Sequence, residues 1–256
     1  MSPDQAQDVF RQIYRGRQSA LHHTAYMRMG KVLGALEMLK RVGFSAGNRD
    51  VFDYGFGAGT LFRYLPRDAR LFGVEIDEEN VAAVRQMLRE RGYPSVDLQP
   101  VHLESWASHP LLSRDYDLFV CSHVLEHLPD PVEFLRRVRG CIRPGGIFLG
   151  LVPINERTAN PHHLHRVTRD TIADWGRSAG YHLTEYLEDE HWIYWVQPLF
   201  SYGAGWRYRV AQAVSLLLGV TATLLGFRLW HRLSKPFAVV TGSMPTQAVF
   251  ILVPMR

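Results

Sequence analysis

Hydrophobic and polar positions along this chain follow a strand-like pattern in some segments and a helix-like pattern in others. Short apolar runs stand at 51–54, 71–76 and near 97–101, and a helical pattern covers about 79–91. The run YDLFVCS (116–122) is nearly continuous, which is typical of a central strand buried on both faces. Strands that alternate with helices predict a parallel sheet covered on both sides.

Local start and stop signals extend this alternation towards the end of the sequence. Asp130 and Pro131 favour a helix start, RPGG (143–146) predicts a turn before a strand at 147–153, and Thr168 can cap another helix. Two more strands are predicted, at about 181–187 and 246–254.

Two further segments lie outside the strand–helix alternation. Residues 4–41 carry two helical patterns, and residues 190–244 form an aromatic and apolar insertion between the last two predicted strands. We therefore divide the chain into N-terminal helices (1–45), a sheet domain (46–189 and 245–256) and a helical cap (190–244).

The cap contains an uncharged stretch of 18 residues, 210–227, with arginines on both sides. This is the shortest length that can span a membrane, but polar residues and glycines dilute it. A buried or interfacial helix needs no bilayer crossing. We therefore expect peripheral membrane contact through 205–233 rather than a spanning helix.

Composition excludes some classes of function. The 29 basic and 25 acidic residues form no run of like charge, so a nucleic-acid partner is not indicated. Cys121 and Cys141 both fall in predicted interior elements, and the first residues are unlike a secretory signal. We expect a cytoplasmic protein, monomeric or dimeric, with membrane association left open.

A glycine loop is the strongest candidate for a ligand site. Gly55, Gly57 and Gly59 follow a strand and precede a helix, and Glu75 ends the next strand, where a carboxylate can accept both ribose hydroxyl protons. The spacing is G-x-G-x-G, not the dinucleotide G-x-G-x-x-G. Asp53 would repel a pyrophosphate but suits the amino group and sulfonium of S-adenosylmethionine (SAM). A helix-capping or loop-bracing role is the alternative for Asp53.

Four segments, in this order, resemble the successive motifs of class I SAM-dependent methyltransferases: DYGFGAG, GVEID, YDLFVCSHVLEHLPDP and RPGGIFLGLVP. The subgroup with ubiquinone-biosynthesis O-methyltransferases has a similar LEH-x-x-DP segment. The resemblance covers roughly residues 50–187. It implies an α/β fold, a Rossmann-like αβα sandwich whose seven-stranded, mostly parallel sheet has an antiparallel last strand.

The same resemblance implies which residues bind the cofactor. The amino-acid part of SAM would be surrounded by Asp53, Gly55, Gly57 and Gly59, and the ribose and adenine would be held by Glu75 and Ile76. The family commonly has an aspartate at the adenine amino group, where this chain has His102, so either His102 or the backbone near Leu103 would make that contact. Ser122 and His123 would lie beneath the sulfonium and face the acceptor.

Histidines are the candidate bases, because their ordinary pKa lies near neutrality. The candidates are His123, His127, His162, His163 and His165. We name His123 and His163 as the leading pair. A metal site at Cys121, His123, Glu126 and His127, to which the three loop histidines could add ligands, is weighed and not adopted, because paired ligand spacings are missing.

These observations predict a SAM-dependent methyltransferase that acts on a small, rather apolar molecule, most readily at oxygen. Nitrogen or carbon methylation stays open. A binding or assembly protein without turnover, at a membrane, is the alternative from another class. Protein or nucleic-acid methylation is disfavoured, because no asparagine-proline-proline-aromatic signature follows the fourth strand.

Overall fold

A seven-stranded mixed sheet forms the centre of the computed structural model, which describes residues 25–102, 104–157, 160, 162–200 and 205–255. The strands are β1 (Asp50–Tyr54), β2 (Arg70–Glu75), β3 (Val96–Pro100), β4 (Tyr116–Ser122), β5 (Ile142–Pro153), β6 (Tyr181–Asp189) and β7 (Gln247–Pro254). Their order across the sheet is β3-β2-β1-β4-β5-β7-β6. The five strands from β3 to β5 are parallel, and β7 runs antiparallel between β5 and β6. The predicted fold class is confirmed.

The central strands are buried because alternate residues enter hydrophobic layers on opposite faces of the sheet. Phe119 of β4 packs with Phe52 and Phe148 in one layer, whereas Leu118 belongs to the other layer. All five residues of β1 are buried. A doubly covered sheet of this kind holds its strand ends rigidly, so loops at the carboxyl ends of the strands can carry a site.

Six helices are described. They are α1 (Tyr26–Arg41), α2 (Glu78–Glu90), α3 (Pro131–Arg139), α4 (Arg169–Ser178), the short α5 (Gln197–Phe200) and the long α6 (Trp206–Thr241). The Asp130 side chain accepts a hydrogen bond from the Glu133 amide at 2.9 Å and caps α3, and Thr168 caps α4 in the same way. Both predicted helix starts are confirmed. The first of the two predicted N-terminal helices lies outside the described residues.

The turn predicted at 143–146 is wrong in its setting, because these residues form a bulge inside β5. Tyr116 pairs with Ile142 and Leu118 pairs with Ile147, so four residues of β5 stand opposite one residue of β4. Gly145 takes up the left-handed backbone with φ 81°. The bulge directs Arg143 onto Asp117, at 2.8 Å, and this ion pair offers a physical reason for the irregularity.

Between β6 and β7 the chain is mainly helical. Helix α6 is interrupted at Gly226, whose φ of 71° and ψ of 157° are not helical. Trp230 attaches α6 to α1: its indole Nε1 donates to the Tyr26 hydroxyl at 2.9 Å, and its ring stacks on Trp192 at 4.6 Å. Within the described residues, α6 is long and apolar enough to cross a membrane, with a mean hydropathy of 1.8 over a window that is 28% buried.

Candidate active site

An open cleft lies at the carboxyl ends of β1 and β4 and encloses about 610 Å³ together with its mouth. Its walls come from three elements: the glycine loop after β1, the end of β4 and one face of α1. Five predicted site residues line it, namely Asp53, Gly55, Gly57, Ser122 and His123. The topology explains the convergence, since β1 and β4 are neighbouring parallel strands on either side of the point where the strand order reverses.

The three glycines of the loop have left-handed φ angles of 74°, 54° and 66° at Gly55, Gly57 and Gly59. Gly59 is required for a different contact from the other two. It does not line the cleft, and a Cβ there would lie 2.5 Å from the Val84 side chain of α2. Gly59 therefore lets α2 pack against the loop, while Gly55 and Gly57 face the cleft.

Two buried carboxylates stand beside the loop. In the part of the chain that the structure describes, Asp53 Oδ1 has no hydrogen-bond partner. Burial, together with the nearby Glu75, raises the pKa of Asp53 to about 8. Glu75 accepts hydrogen bonds from the Gly57 amide at 2.7 Å and the Ile76 amide at 2.9 Å. Burial raises the pKa of Glu75 as well. A bound cation would relieve this concentration of buried acid.

The residues predicted for the ribose and adenine lie outside the cleft. Glu75 is turned onto backbone amides of the glycine loop and of the loop that follows β2, and Ile76 packs against the core. His102 is exposed and does not reach the cleft, and Leu103 lies outside the described residues. The cleft is therefore open only where the amino-acid part of a cofactor would lie.

Two cations that the motif analysis missed line the same cleft. Arg28 and Lys31 both project from α1. Burial, with a contribution from Arg28, lowers the pKa of Lys31 to about 8. The cleft thus offers an unpartnered carboxylate oxygen on one wall and two cations on another. That charge arrangement fits the ammonium and carboxylate of an amino acid, so the residues present fit SAM.

Beyond the cleft, His123 joins it to a buried acid and histidine cluster. His123 has a left-handed φ of 55°, which is uncommon outside glycine, and its Nε2 lies 3.1 Å from Gln247 Oε1. Its Nδ1 lies 3.5 Å from Glu126 Oε1. The Glu126 side chain is fully buried, and neither of its oxygens has a hydrogen-bond partner among the described residues.

His127 faces the same carboxylate from the other side. Its Nδ1 lies 2.9 Å from the carbonyl oxygen of His162, so Nδ1 carries the hydrogen and donates. Burial lowers the pKa of His127 to about 4, so the ring is neutral near pH 7 and its Nε2 carries no hydrogen. This Nε2 lies 3.9 Å from Glu126 Oε1. Burial also raises the pKa of Glu126 to about 7. The cluster can therefore hold or release a proton near neutrality.

His163 is oriented by two polar partners on its own loop. Its Nδ1 donates to Glu156 Oε2 at 2.7 Å, so its Nε2 accepts from the Asn160 amide at 2.9 Å. The His163 ring lies edge-on to His127 at 4.7 Å. By contrast, His165 donates to the Leu128 carbonyl oxygen at 2.8 Å, which indicates a bracing role.

Within the described ranges, one group of side chains lies close enough together to hold a metal ion. Ligand atoms of Glu126, His127 and His163 all lie within 4.8 Å of one another. These three residues are among the ligands considered from the sequence, whereas Cys121, which is buried in β4, and His123 are not part of the group. Carboxylate and imidazole ligands would suit a divalent transition metal, and our expectation of no resident metal stays a prediction.

A doubly covered sheet with this strand order, a glycine loop after β1 and an acid–cation cleft define the class I SAM-dependent methyltransferase architecture. Residues 52–150 match the family described as "Methyltransferase domain". Over these residues the chain is therefore similar to SAM-dependent methyltransferase domains, and this similarity implies SAM as the cofactor.

Relatives agree with this family. The chain is 29% identical over 156 residues to a Mycolicibacterium smegmatis protein named "Probable S-adenosylmethionine-dependent methyltransferase", with 58% of each chain covered. It is 30% identical over 132 residues to the ubiquinone biosynthesis O-methyltransferase of Sodalis glossinidius, covering 51% of this chain and 49% of the relative. The chain thus spans about half the length of the curated relatives that it matches.

Solved structures show the same fold. A coclaurine N-methyltransferase structure, bound to N-methylheliamine and S-adenosylhomocysteine (SAH), superposes with a TM-score of 0.62 over 98% of this chain and 85% of that one. The two sequences are 10% identical, so the likeness concerns the fold alone.

Proposed function

We propose that this protein transfers the methyl group of SAM to an oxygen atom of a small, lipophilic acceptor. The observation that carries the proposal is the cleft itself. Asp53 and the cations of α1 line the part of the cleft that would hold the amino-acid part of SAM. Ser122 and His123 line the cleft beside the buried cluster. Cofactor binding and proton handling therefore meet at one point.

Bound SAM supplies a methyl group on a sulfonium, already activated for in-line displacement, so the protein's main task is to position the nucleophile. Asp53 would accept hydrogen bonds from the ammonium group, and Lys31 would pair with the carboxylate. Glu75 would turn from the Gly57 amide towards the ribose hydroxyls. His123 lies at the junction between the cleft and the cluster, where the acceptor oxygen would enter.

A base is needed only if the acceptor oxygen carries a proton. His163 is the leading candidate, because Glu156 fixes its Nδ1 hydrogen and leaves the Nε2 lone pair for another donor. That lone pair now accepts from Asn160, so the acceptor hydroxyl would replace the Asn160 amide. His123 is the second candidate, since it lines the cleft directly.

An apolar acceptor is supported by the remaining walls and by the cap. The cleft is completed by the side chains of Val32, Ala35, Leu61 and Leu151. Arg157 lies in the loop after β5 that also carries His163. Its guanidinium carbon lies 4.5 Å from the ring centroid of the half-exposed Trp195 in the cap. Pockets for small molecules are commonly built from such apolar and aromatic groups.

The direct test is a mass-spectrometric search for metabolites that gain a methyl group when purified protein and SAM are added to a cell extract. We expect a product with its methyl on oxygen, and SAH formed in equal amount. A methylated nitrogen or carbon would correct the acceptor atom. Tight SAH binding with no methylated product would instead support the binding or assembly protein.

A further inference from the structure

Helix α6 presents a line of exposed aliphatic side chains along one face. We call this line the apolar ridge, and it consists of Val210, Leu217, Val220, Leu224, Leu225, Leu229 and Leu233. Leu217 is 67% exposed and Leu224 is 81% exposed. Val239 and Val240, near the end of α6, are exposed as well, by 85% and 84%. So many exposed aliphatic side chains on one helix are unusual on a protein surrounded only by water.

The opposite face of α6 is already committed to the protein. Its buried residues are Ala211, Ser215, Gly219, Ala222, Phe227, Trp230 and Ser234. Small residues allow close approach, and Trp230 is held by its hydrogen bond to Tyr26. The helix cannot turn the apolar ridge inwards without breaking these contacts.

The charge of α6 indicates what covers the ridge. The helix has no acidic residue, and its cations are Arg207, Arg209, Arg228, Arg232 and Lys235. All five are exposed, and Trp206 stands at the start of the helix with 72% exposure. Basic side chains and a tryptophan beside an apolar face are typical of helices that lie in the headgroup region of an anionic bilayer.

We propose that α6 lies flat in the interface of an anionic membrane, with the apolar ridge among the acyl chains. The helix breaks at Gly226, and three of the five cations follow the break, so the second arm does not fit the hydrocarbon core. This inference rests on the lipophilic acceptor of the proposed function. It adds an anionic membrane as the partner, the apolar ridge as the contact surface, and an orientation in which α6 lies parallel to the membrane.

The position of α6 connects this surface to the cleft. Helix α1 packs against α6 on one side, through Tyr26, and lines the cleft on another, through Lys31 and Val32. A membrane-bound α6 therefore holds the cleft close to the bilayer, and a lipophilic acceptor reaches it without a long passage through water.

The test is flotation of the whole protein with vesicles of phosphatidylcholine and phosphatidylserine, compared with phosphatidylcholine alone. We expect the wild type to float with the anionic vesicles and to be released by high salt or by alkaline carbonate. The Leu217→Glu/Leu224→Glu variant should bind at least ~10-fold more weakly, because two apolar side chains no longer enter the interface. Replacing Arg207 and Arg209 by Gln should weaken binding to the anionic vesicles only.

A matched control adds two glutamates at exposed positions of β6, His182→Glu/Thr184→Glu, and should float like the wild type. If circular dichroism shows that the Leu217→Glu/Leu224→Glu variant does not fold, the Leu217→Ala/Leu224→Ala variant takes its place. It removes apolar area from the ridge without adding charge. SAH binding, measured on each sample, separates this test from the proposed function.

Three results would overturn the proposal: no flotation of a wild type that binds SAH, resistance to carbonate as for a spanning helix, or equal flotation of the ridge variants. Self-association that disappears in the ridge variants, without flotation of the wild type, would assign the ridge to a second copy of this chain. Failure of methyl transfer alone leaves the flotation result intact.

Discussion

At the scale of single residues, the Glu75 carboxylate can accept hydrogen bonds either from backbone amides or from the ribose hydroxyls of a cofactor. It now accepts from the Gly57 and Ile76 amides, and the same oxygens would serve the ribose hydroxyls of the cofactor. We expect Glu75→Ala to weaken SAH binding by about 1.5–3 kcal/mol through the loss of charge-assisted hydrogen bonds. Titration calorimetry measures the effect, with Glu75→Gln as the isosteric control.

Gly57→Val should be more damaging in the same assay, because valine is strained at a φ of 54° and would occupy space in the cleft. If Glu75→Ala binds SAH with wild-type affinity, Glu75 does not contact the cofactor. If the wild type gives no heat with SAM or SAH but binds NAD, the cleft is not a SAM site.

His163 is the residue on which base catalysis is most directly tested. For a hydroxyl acceptor, His163→Ala should lower kcat about 100-fold or more and leave SAM affinity nearly unchanged. Glu156→Gln should give a smaller loss, because it weakens only the orientation of the ring. If alanine variants at His123, His127, His162, His163 and His165 all keep wild-type rates, positioning alone drives the reaction.

Glu126 makes stability depend on pH in an unusual direction. Its pKa is raised by burial from 4.5 to about 7, so between these values the folded protein binds a proton that the unfolded chain has lost. The free energy of unfolding therefore falls as pH rises through this interval. His127 acts with the opposite sign between pH 4 and 6.5, because its pKa is lowered.

Comparing the wild type with Glu126→Gln separates the two contributions. Relative to the wild type, the variant should gain on the order of 1–3 kcal/mol between pH 4.5 and pH 7 to 8, measured by urea unfolding. Parallel pH profiles for the two proteins would mean that Glu126 titrates normally.

Single-residue roles were only partly predictable from the sequence. Asp53 and His123 could be located because Asp53 lies near the carboxyl end of β1 and His123 directly follows β4, and both strand ends point to the ligand side of the sheet. Arg28 and Lys31 could not, since they enter the cleft from α1, before any motif. The sequence placed His163 among the candidate bases and the possible further ligands, but it did not show which loop histidine approaches Glu126 and His127, because that depends on the path of a loop.

At the scale of elements, the helix starts were predictable because a cap is a local signal: Asp130 and Thr168 act within three residues. The bulge in β5 was not predictable. Its four residues, which stand opposite one residue of β4, look like a turn in sequence, and the ion pair of Arg143 with Asp117, across two strands, accounts for their course.

The interruption of α6 gives a prediction at this scale. Gly226 has φ 71° and ψ 157°, a region that is essentially restricted to glycine. We expect Gly226→Ala to lower the free energy of unfolding by ~1–3 kcal/mol, measured by denaturant titration. Thr223→Ala, three residues earlier on an exposed helical position, should change it by less than about 0.5 kcal/mol. If Gly226→Ala and Thr223→Ala change the free energy of unfolding equally, a side chain at position 226 does not strain the backbone.

At the scale of the whole molecule, α1 is shared between the cleft and α6. Trp230→Ala would remove a buried ring and its hydrogen bond to Tyr26, and should destabilise the protein by about 3–5 kcal/mol. SAH affinity should fall as well, because Lys31 on the same helix would be less well held. Calorimetry on folded protein tests this, with Trp230→Phe as the milder variant. Unchanged SAH affinity would mean that α1 keeps its place without α6.

The place of β7 in the sheet has a consequence for how the chain folds as it is synthesised. Among the described strands, β6 pairs with β7 alone, and β7 is separated from it in sequence by the whole of α6. The parallel strands can therefore associate first, while β6 remains an unpaired edge and the apolar α6 has already been made. Such an intermediate is prone to aggregate until β7 enters between β5 and β6. Early capture of α6 by a lipid surface or a chaperone would protect the nascent chain at that stage.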